Sequence, residues 1–338
     1  FIRNLNLIRA KVPILKFRDT LAGVDCDLNV NNVVGIYNTH LLAMYTKIDW
    51  RVRPLGMFVK YWAQRMDIHD GSRGRLSTYP LLLMLIHYLQ AACTPPILPN
   101  LQAKFPKIFN YACPLAELDM RLELPWAELR SNNPASLAEL FVGFIHYYTN
   151  EFDFSRWAVS VRNGAPLPID MAIRRLPPHE QAHTARSFKV FVEGRTPGQV
   201  SSIMTAPSRG LQMVSNGPLI PPGAPLSFAS AQPNISSSLY MEALSLTIWQ
   251  FYTRTRQSKA KYAKKVHLRN ALLEVVSGVF KHAGLFIVGS SMNGFGSDQS
   301  DMDMCLTVTS QYLQQKKEAF AVLSQLLPPL RNCSKYNI

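Results

Sequence analysis

No apolar run in this sequence approaches the roughly 20 residues that a membrane-spanning helix needs. The longest, Leu81 to Ile86, stops at His87 and reads as a buried helix. The opening residues Phe1-Ile2-Arg3-Asn4 carry no signal-peptide pattern, so no membrane association is expected. Cysteine is sparse. Cys26, Cys93, Cys113, Cys305 and Cys333 fall at no zinc-ligand spacing and, being odd in number, outline no disulfide framework. That usage favours a reducing compartment. Acidic residues are few, 22 Asp and Glu against 36 Lys and Arg, leaving a net charge of +14. An excess of that size favours a polyanionic partner and electrostatic steering toward it. No RNP aromatic pattern, KH glycine loop or zinc knuckle is visible, which excludes a dedicated RNA-recognition module of those kinds. The 338 residues, 47% apolar, suffice for two domains with sizeable cores.

The most informative stretch lies near the end. The apolar run Gly284-Leu285-Phe286-Ile287-Val288 leads into Gly289-Ser290-Ser291-Met292-Asn293-Gly294-Phe295-Gly296, then Ser300-Asp301-Met302-Asp303, and alternation continues to Val308. The pattern predicts a strand, a Gly/Ser turn with a short helix, and a second strand. Asp301 and Asp303, two apart, share a strand face. Two oxygen donors on one face suit hard Mg²⁺ (or Mn²⁺). Gly289 and Ser290 offer backbone N–H groups and a hydroxyl to phosphate oxygens at a helix start. Together these features point to a nucleoside triphosphate held through metal on its phosphates.

Earlier in the chain, Lys11 to Phe17 alternates as a strand, with Pro13 implying an edge or bulge. A turn at Ala22-Gly23 and a second strand, Val24 to Val30, complete a hairpin. Asp25 and Asp27 share a face there, and either could add a third metal ligand. Helices are expected from Asn31-Asn32 onward, over 54–66, from Ser77 through Leu89, and over 135–149, with a short strand at Trp157 to Val161. Residues 194–238 are rich in Gly, Pro, Ser and Ala and nearly uncharged, a low-complexity bridge or docked segment. A helix resumes at Leu239. The basic run Arg254, Arg256, Lys259, Lys261, Lys264 and Lys265 reads either as phosphate contacts or as a solvated helix face. Helices over 266–283 and 311–328 flank the Gly/Ser and aspartate elements.

Gly289-Ser290 followed by Asp301-x-Asp303, with an apolar strand on each side, resembles the signature of the polymerase β-like nucleotidyltransferase superfamily. The Ser-Asp-Met-Asp form with Gly294 and Gly296 is similar to the branch holding the cytoplasmic poly(A) polymerases and terminal uridylyltransferases, and closest to the germline-type poly(A) enzymes. The resemblance implies an α/β nucleotidyltransferase domain, a small mixed sheet plus helices, built from 266–338 and 1–30. It also implies a mainly helical central domain from 31–193 plus 239–265, with the active site in the cleft between. It selects Asp27, because the family's third aspartate stands in a strand read D-L-N, as in Asp27-Leu28-Asn29. Asp301 and Asp303 would hold both metal ions, and Asp27 the one that activates an RNA 3′-oxygen. Gly289, Ser290, Asn38, Thr39, Lys60, Thr78 and Tyr79 would bind the nucleotide. Where uridylyl-type relatives carry a second lysine, this chain has Gln64, with Arg65 beside it. The stretch Gln181 to Arg186 looks like a late family motif, and Ala182 and His183 would then bear on base selection, the small Ala182 leaving room for a purine.

The implied reaction is addition of AMP from ATP to RNA 3′ ends in the cytoplasm, with an RNA-binding protein partner recruiting the substrate. A terminal uridylyltransferase and a catalytically inert scaffold are the alternatives. In the family the Gly/Ser and D-x-D elements precede the third-aspartate strand and the helical domain. Here they follow, which predicts a circularly permuted order with 194–238 bridging the original ends.

Overall fold

A computed structural model describes residues 2–10, 12–69, 76–110, 113–175, 189–193, 200–204, 235–309 and 315–332. The architecture is α/β and divides into two compact units, Phe1–Met44 with Thr255–Ile338, and Tyr45–Arg254. In the first unit, five strands form one mixed sheet in the order β1 (Ile2–Ile8), β2 (Ile14–Asp19), β3 (Val24–Val30), β9 (Met302–Thr307), β8 (Gly284–Val288). All neighbours are antiparallel except β3 and β9, which run parallel. Among the described residues, the last two strands thus complete a sheet begun by the first three.

Alternation explains the faces. On β3, Val24, Cys26, Leu28 and Val30 are buried while Asp25, Asp27 and Asn29 point the other way. The buried set joins Leu15, Phe17, Leu285, Met302, Met304 and Leu306. Helix α9 (Lys259–Val279) covers this face with Leu268, Leu272 and Val276, and α11 (Phe320–Arg331) with Leu323, Leu326 and Leu330. Asn31, with φ of 48°, turns the chain out of β3. Its side chain donates to Thr309 O at 2.8 Å and accepts from Val308 N at 3.0 Å, fastening the end of β3 to the end of β9.

The second unit is mainly helical. It holds most of α8 (Ile235–Thr255), together with α2 (Val52–Arg65), α3 (Thr78–Ala91), α4 (Leu101–Lys104), α5 (Trp126–Leu129), α6 (Leu137–His146) and α7 (Ile169–Arg174). Helix α1 (Val34–Ile48) spans the division. A four-stranded sheet has the order β5 (Leu167–Pro168), β4 (Trp157–Ser160), β6 (Lys189–Glu193), β7 (Val200–Met204). A capping box, Ser136 with Glu139, starts α6. The buried Arg51 guanidinium grips the Asp49 carboxylate and donates to Asn133 O and Ala135 O. No helix among the described residues is long and apolar enough to cross a membrane.

Three expectations need correction. β2 is an interior strand; Pro13 lies just before its first residue, where no ladder bond is asked of it. The edge belongs to β1, a strand that the alternation from Lys11 onward does not separate. Inside 194–238, Val200–Met204 pairs with Lys189–Glu193, and α8 already begins at Ile235.

The sheet core makes one prediction. Leu28→Ala removes a side chain only 2% exposed and should cost about 2–5 kcal/mol. Ile8→Ala, at a position 43% exposed, should shift stability by under about 0.5 kcal/mol. Urea unfolding curves of the two variants should separate accordingly.

Candidate active site

The parallel register of β3 and β9 sets Asp27 beside Asp303. Asp301 lies one residue before β9 and is exposed. Across the antiparallel β2–β3 pair, Lys16 faces Asp27. Its Nζ lies 3.2 Å from Asp27 Oδ1 and 3.9 Å from Asp301 Oδ2. Asp25 is taken by Arg18, so Asp27 is the carboxylate of this strand directed at the other two. Burial, then the charges of Asp27 and Asp301, push the Asp303 carboxyl up to about 6. Burial also raises Asp301, with Lys16 opposing and Asp27 and Asp25 adding to the rise. Burial works against the Lys16 charge, yet its hydrogen bond to Asp27 and the surrounding carboxylates raise its pKa overall.

The donor chemistry fits a divalent cation. Asp27 Oδ1 is buried and accepts no hydrogen bond, its 3.2 Å approach to Lys16 being an ion pair without hydrogen-bond geometry. An orphaned carboxylate oxygen beside two further carboxylates is what a hard cation satisfies. Among the described residues no three acidic, histidine or cysteine side chains close into a cluster able to hold an ion. Lys16 instead lies between Asp27 and Asp301, a positive charge already partly balancing the aspartates.

The glycine turn is fixed by the same carboxylates. Val288 pairs with Asp303, so Gly289 follows directly beside it. Gly289 has φ of 69°, and a Cβ there would lie 2.6 Å from Asp303 Oδ2. Only glycine fits. Helix α10 (Ser290–Asn293) starts at the next residue and ends at Gly294, φ 90°. At Gly296 an added Cβ would lie 2.6 Å from Ser290 O, so this second glycine lets the returning loop pass close to the turn.

Thr39 on α1, expected by resemblance to bind the nucleotide, has its hydroxyl engaged within the turn. The Gly289 N–H donates to Thr39 Oγ1 at 2.8 Å, and that hydroxyl donates to Gly35 O at 2.6 Å. At 3% exposure Thr39 holds the turn, and the Gly289 N–H is spent on it rather than offered to a phosphate. Asn38, half-buried, precedes it on the same helix. Lys60 on α2 and Thr78 and Tyr79 at the start of α3 belong to the other unit, all partly buried. Thr78 Oγ1 lies 2.8 Å from His69 Nε2. Gln64 and Arg65 are exposed, and the Arg65 guanidinium stands over the Tyr61 ring. Ala182 and His183 lie outside the described residues.

The basic run also divides. Arg254, Arg256, Lys259 and Lys264 are exposed, but Lys261 Nζ donates to Ala22 O and Gly23 O, and Lys265 is 0% exposed. Lys265 is therefore no phosphate contact. The signal is present in the sequence: Lys265, Leu268, Leu272 and Val276 follow helical spacing, so the lysine occupies the apolar stripe. Lys16 is not found this way from the sequence: a two-residue turn at Ala22-Gly23 would set Arg18 opposite Asp27, whereas the connection spans residues 20–23 and brings Lys16 there instead.

Asp303 makes a pH prediction. Its folded value of about 6 stands above the usual 3.8, so between these the folded chain keeps a proton the unfolded chain has lost. Stability from this group is full below the lower value and falls as pH rises through the upper one. At pH 7.5 the charged, buried carboxylate should cost up to about 3 kcal/mol. Asp303→Asn should therefore raise the urea midpoint at that pH in a chelator, and the gain should shrink toward pH 4. Adding Mg²⁺ should stabilise the parent and not the variant. Equal midpoints at pH 7.5 would refute the burial argument.

Comparison with known proteins bears on these same strands. A family model described as "Poly(A) RNA polymerase, mitochondrial-like, central palm domain" matches residues 1–47 and 244–338. A second, "Cid1 family poly A polymerase", matches 136–176 between them. Poly(A) RNA polymerase GLD2-A of Xenopus laevis is 48% identical over 174 residues, 50% of this chain and 33% of that protein. Poly(A) RNA polymerase GLD2 of Homo sapiens is 45% identical over 170 residues, 50% of this chain and 34% of that protein. The chain thus spans about a third of the length of these relatives. A solved structure of a GLD-2/RNP-8 complex is 39% identical, with a TM-score of 0.42, covering 50% of this chain and 55% of that one. Asp27, Asp301 and Asp303 all fall inside the palm match, and over about half its length the chain is similar in sequence to poly(A) RNA polymerases.

Proposed function

We propose that this chain transfers AMP from ATP to the 3′-hydroxyl of RNA without a template, releasing pyrophosphate. The observation that carries the reading is the register pairing of Asp27 with Asp303, with a buried Asp27 oxygen that accepts no hydrogen bond. Asp301, Asp303 and Asp27 would hold Mg²⁺ or Mn²⁺, which when bound supplies Lewis-acid stabilisation of phosphate charge and lowers the pKa of the attacking hydroxyl. The rest falls to the chain. Gly289 keeps its backbone close to Asp303, and Ser290 presents its hydroxyl where the triphosphate would lie. Asn38 would offer a sugar contact, and the resemblance assigns Lys60 to the phosphate charge and Thr78 and Tyr79 to the base. Lys16 balances the aspartates before substrate arrives. The bond formed joins the RNA 3′-oxygen to the α-phosphorus; the bond broken links the α- and β-phosphates. Positioning and electrostatics carry most of such a transfer.

The relatives' names favour ATP over UTP, and Ala182 in place of a larger side chain agrees with a purine. A cytoplasmic location and an RNA-recruiting protein partner belong to the same reading; the related GLD-2 is described in complex with RNP-8. The permuted order is supported by the palm model matching both ends of the chain around the Cid1-family match.

The test is incubation with a labelled RNA oligonucleotide, Mg²⁺ and each nucleotide separately. Tail growth with ATP is expected, and Asp303→Ala, Asp301→Ala and Asp27→Ala should each lower the rate by about a hundredfold or more. Growth with UTP in preference would move the assignment to uridylyl transfer, and no growth with any nucleotide would leave a scaffold. Near-normal activity in any one variant would remove that aspartate from the site.

A further inference from the structure

Beyond the aspartates stands one lysine that the fold encloses completely. Helix α9 turns Lys265 onto the stripe that it buries against the sheet. There the ammonium meets four oxygens: Ser291 Oγ at 2.8 Å, Ser300 O at 2.8 Å, Gln257 Oε1 at 2.9 Å and Asp301 O at 3.4 Å. Three protons serve the three short contacts, and the fourth is longer, as an ammonium requires. None of these acceptors is a carboxylate oxygen, so the cation is held by neutral dipoles. Burial, and then the neighbouring Lys261 charge, lower its pKa to about 8.

Three of the acceptors belong to the segment that carries the proposed chemistry, and the fourth to the helix junction beside it. Ser291 lies in α10, beside Ser290. Ser300 and Asp301 form the turn into β9. Gln257 lies in the junction between α8 and α9, and its Nε2 donates to Ser291 O at 3.0 Å while its backbone N–H donates to Gly296 O at 2.9 Å. Ser291 Oγ lies 3.2 Å from Asp301 O as well, and the Ser258 N–H donates to Asp298 Oδ1 at 2.7 Å.

We propose that Lys265 is a positioning residue that fixes the 290–301 segment at a single point and so sets the direction of the Asp301 carboxylate. The backbone carbonyl of Asp301 lies 3.4 Å from Lys265 Nζ, while its carboxylate lies 3.9 Å from Lys16 Nζ. Without the ammonium, four inward oxygens would lose their common donor, and the turn would rearrange to find water. The proposal rests on the metal-binding reading of Asp301, but its structural half does not need a metal.

The test uses Lys265→Met, which keeps the stem and removes the charge, and Ser291→Ala, which removes one acceptor and disturbs the fold less. Hydrogen exchange followed by mass spectrometry reads the segment directly. Exchange over 297–301 should rise by about tenfold or more in both variants, while β2 and β3 stay within about twofold of the parent. Mn²⁺ affinity, read by electron paramagnetic resonance on folded protein, should fall by about tenfold, or about 1.4 kcal/mol. Unchanged exchange over 297–301, or a uniform rise across the whole first unit, would overturn the positioning role. Should Lys265→Met fail to fold, Ser291→Ala alone decides between these outcomes. A parent that binds no Mn²⁺ through Asp303 would sink the catalytic reading, while the exchange measurement would still decide the structural role of Lys265.

Discussion

The parallel ladder between β3 and β9 joins residues 26–30 to 302–306, and the first unit depends on it. It sets the Asp27–Asp303 pair, closes the sheet between strands from opposite ends of the sequence, and buries Cys26, Leu28, Val30, Met302, Met304 and Leu306 in one core. Loop-closure entropy grows only slowly with separation, so a connection of this length is thermodynamically tolerable. Its burden is kinetic: the ladder cannot form until both ends of the chain have met. The hairpin β2–β3 and the pair β8–β9 are local and can form first; their joining creates the site.

That joining places carboxylates on a partly buried face, and the fold answers with two lysines of different kinds. Lys16 approaches from the sheet itself, half-exposed, and pairs with Asp27. Lys265 approaches from the core side, wholly enclosed, and bonds neutral backbone and side-chain oxygens rather than the acids. One is a charge that solvent and substrate can compete with. The other is a strut whose charge is costly to bury and whose donors the turn cannot do without. The raised pKa of Asp303 shows that these two cations do not fully offset the aspartates' mutual repulsion and burial. A site in that condition favours further positive charge.

Much of this is legible in the sequence because it rests on local periodicity. The strand–turn–strand over 284–307, the hairpin with Asp25 and Asp27, and helices α2, α3 and α6 follow from alternation, helical spacing and caps. What is not legible depends on pairing at a distance. Pro13 suggests an edge, but strand order is set by which strand finds β1, and no local rule states that. Asp25 and Asp27 are equivalent by spacing; Arg18 on the neighbouring strand separates them. Lys265 reads with its basic neighbours when charge is counted along the chain, although its spacing to Leu268, Leu272 and Val276 puts it on the apolar stripe. The resemblance assigns Thr39 to the nucleotide, and no local rule shows that its hydroxyl also bonds Gly289 N–H and Gly35 O.

Thr39 and Lys265 act on the two ends of the same segment. Thr39, from α1, fixes the entry at Gly289; Lys265, from α9, fixes the exit at Ser300 and Asp301. Between them α10 is a single turn, closed by bonds from Met292 and Asn293 N–H to Gly289 O and ended by Gly294. So short a helix has no stability of its own, since nucleation alone is unfavourable. Its geometry must therefore come from its anchors. The glycines are required for the same reason: at Gly289 and Gly296 the backbone passes so close to Asp303 and Ser290 that any Cβ would displace the element it is meant to hold. Rigidity at this turn is thus supplied in large part by α1 and α9 outside it, with Phe295 buried from within.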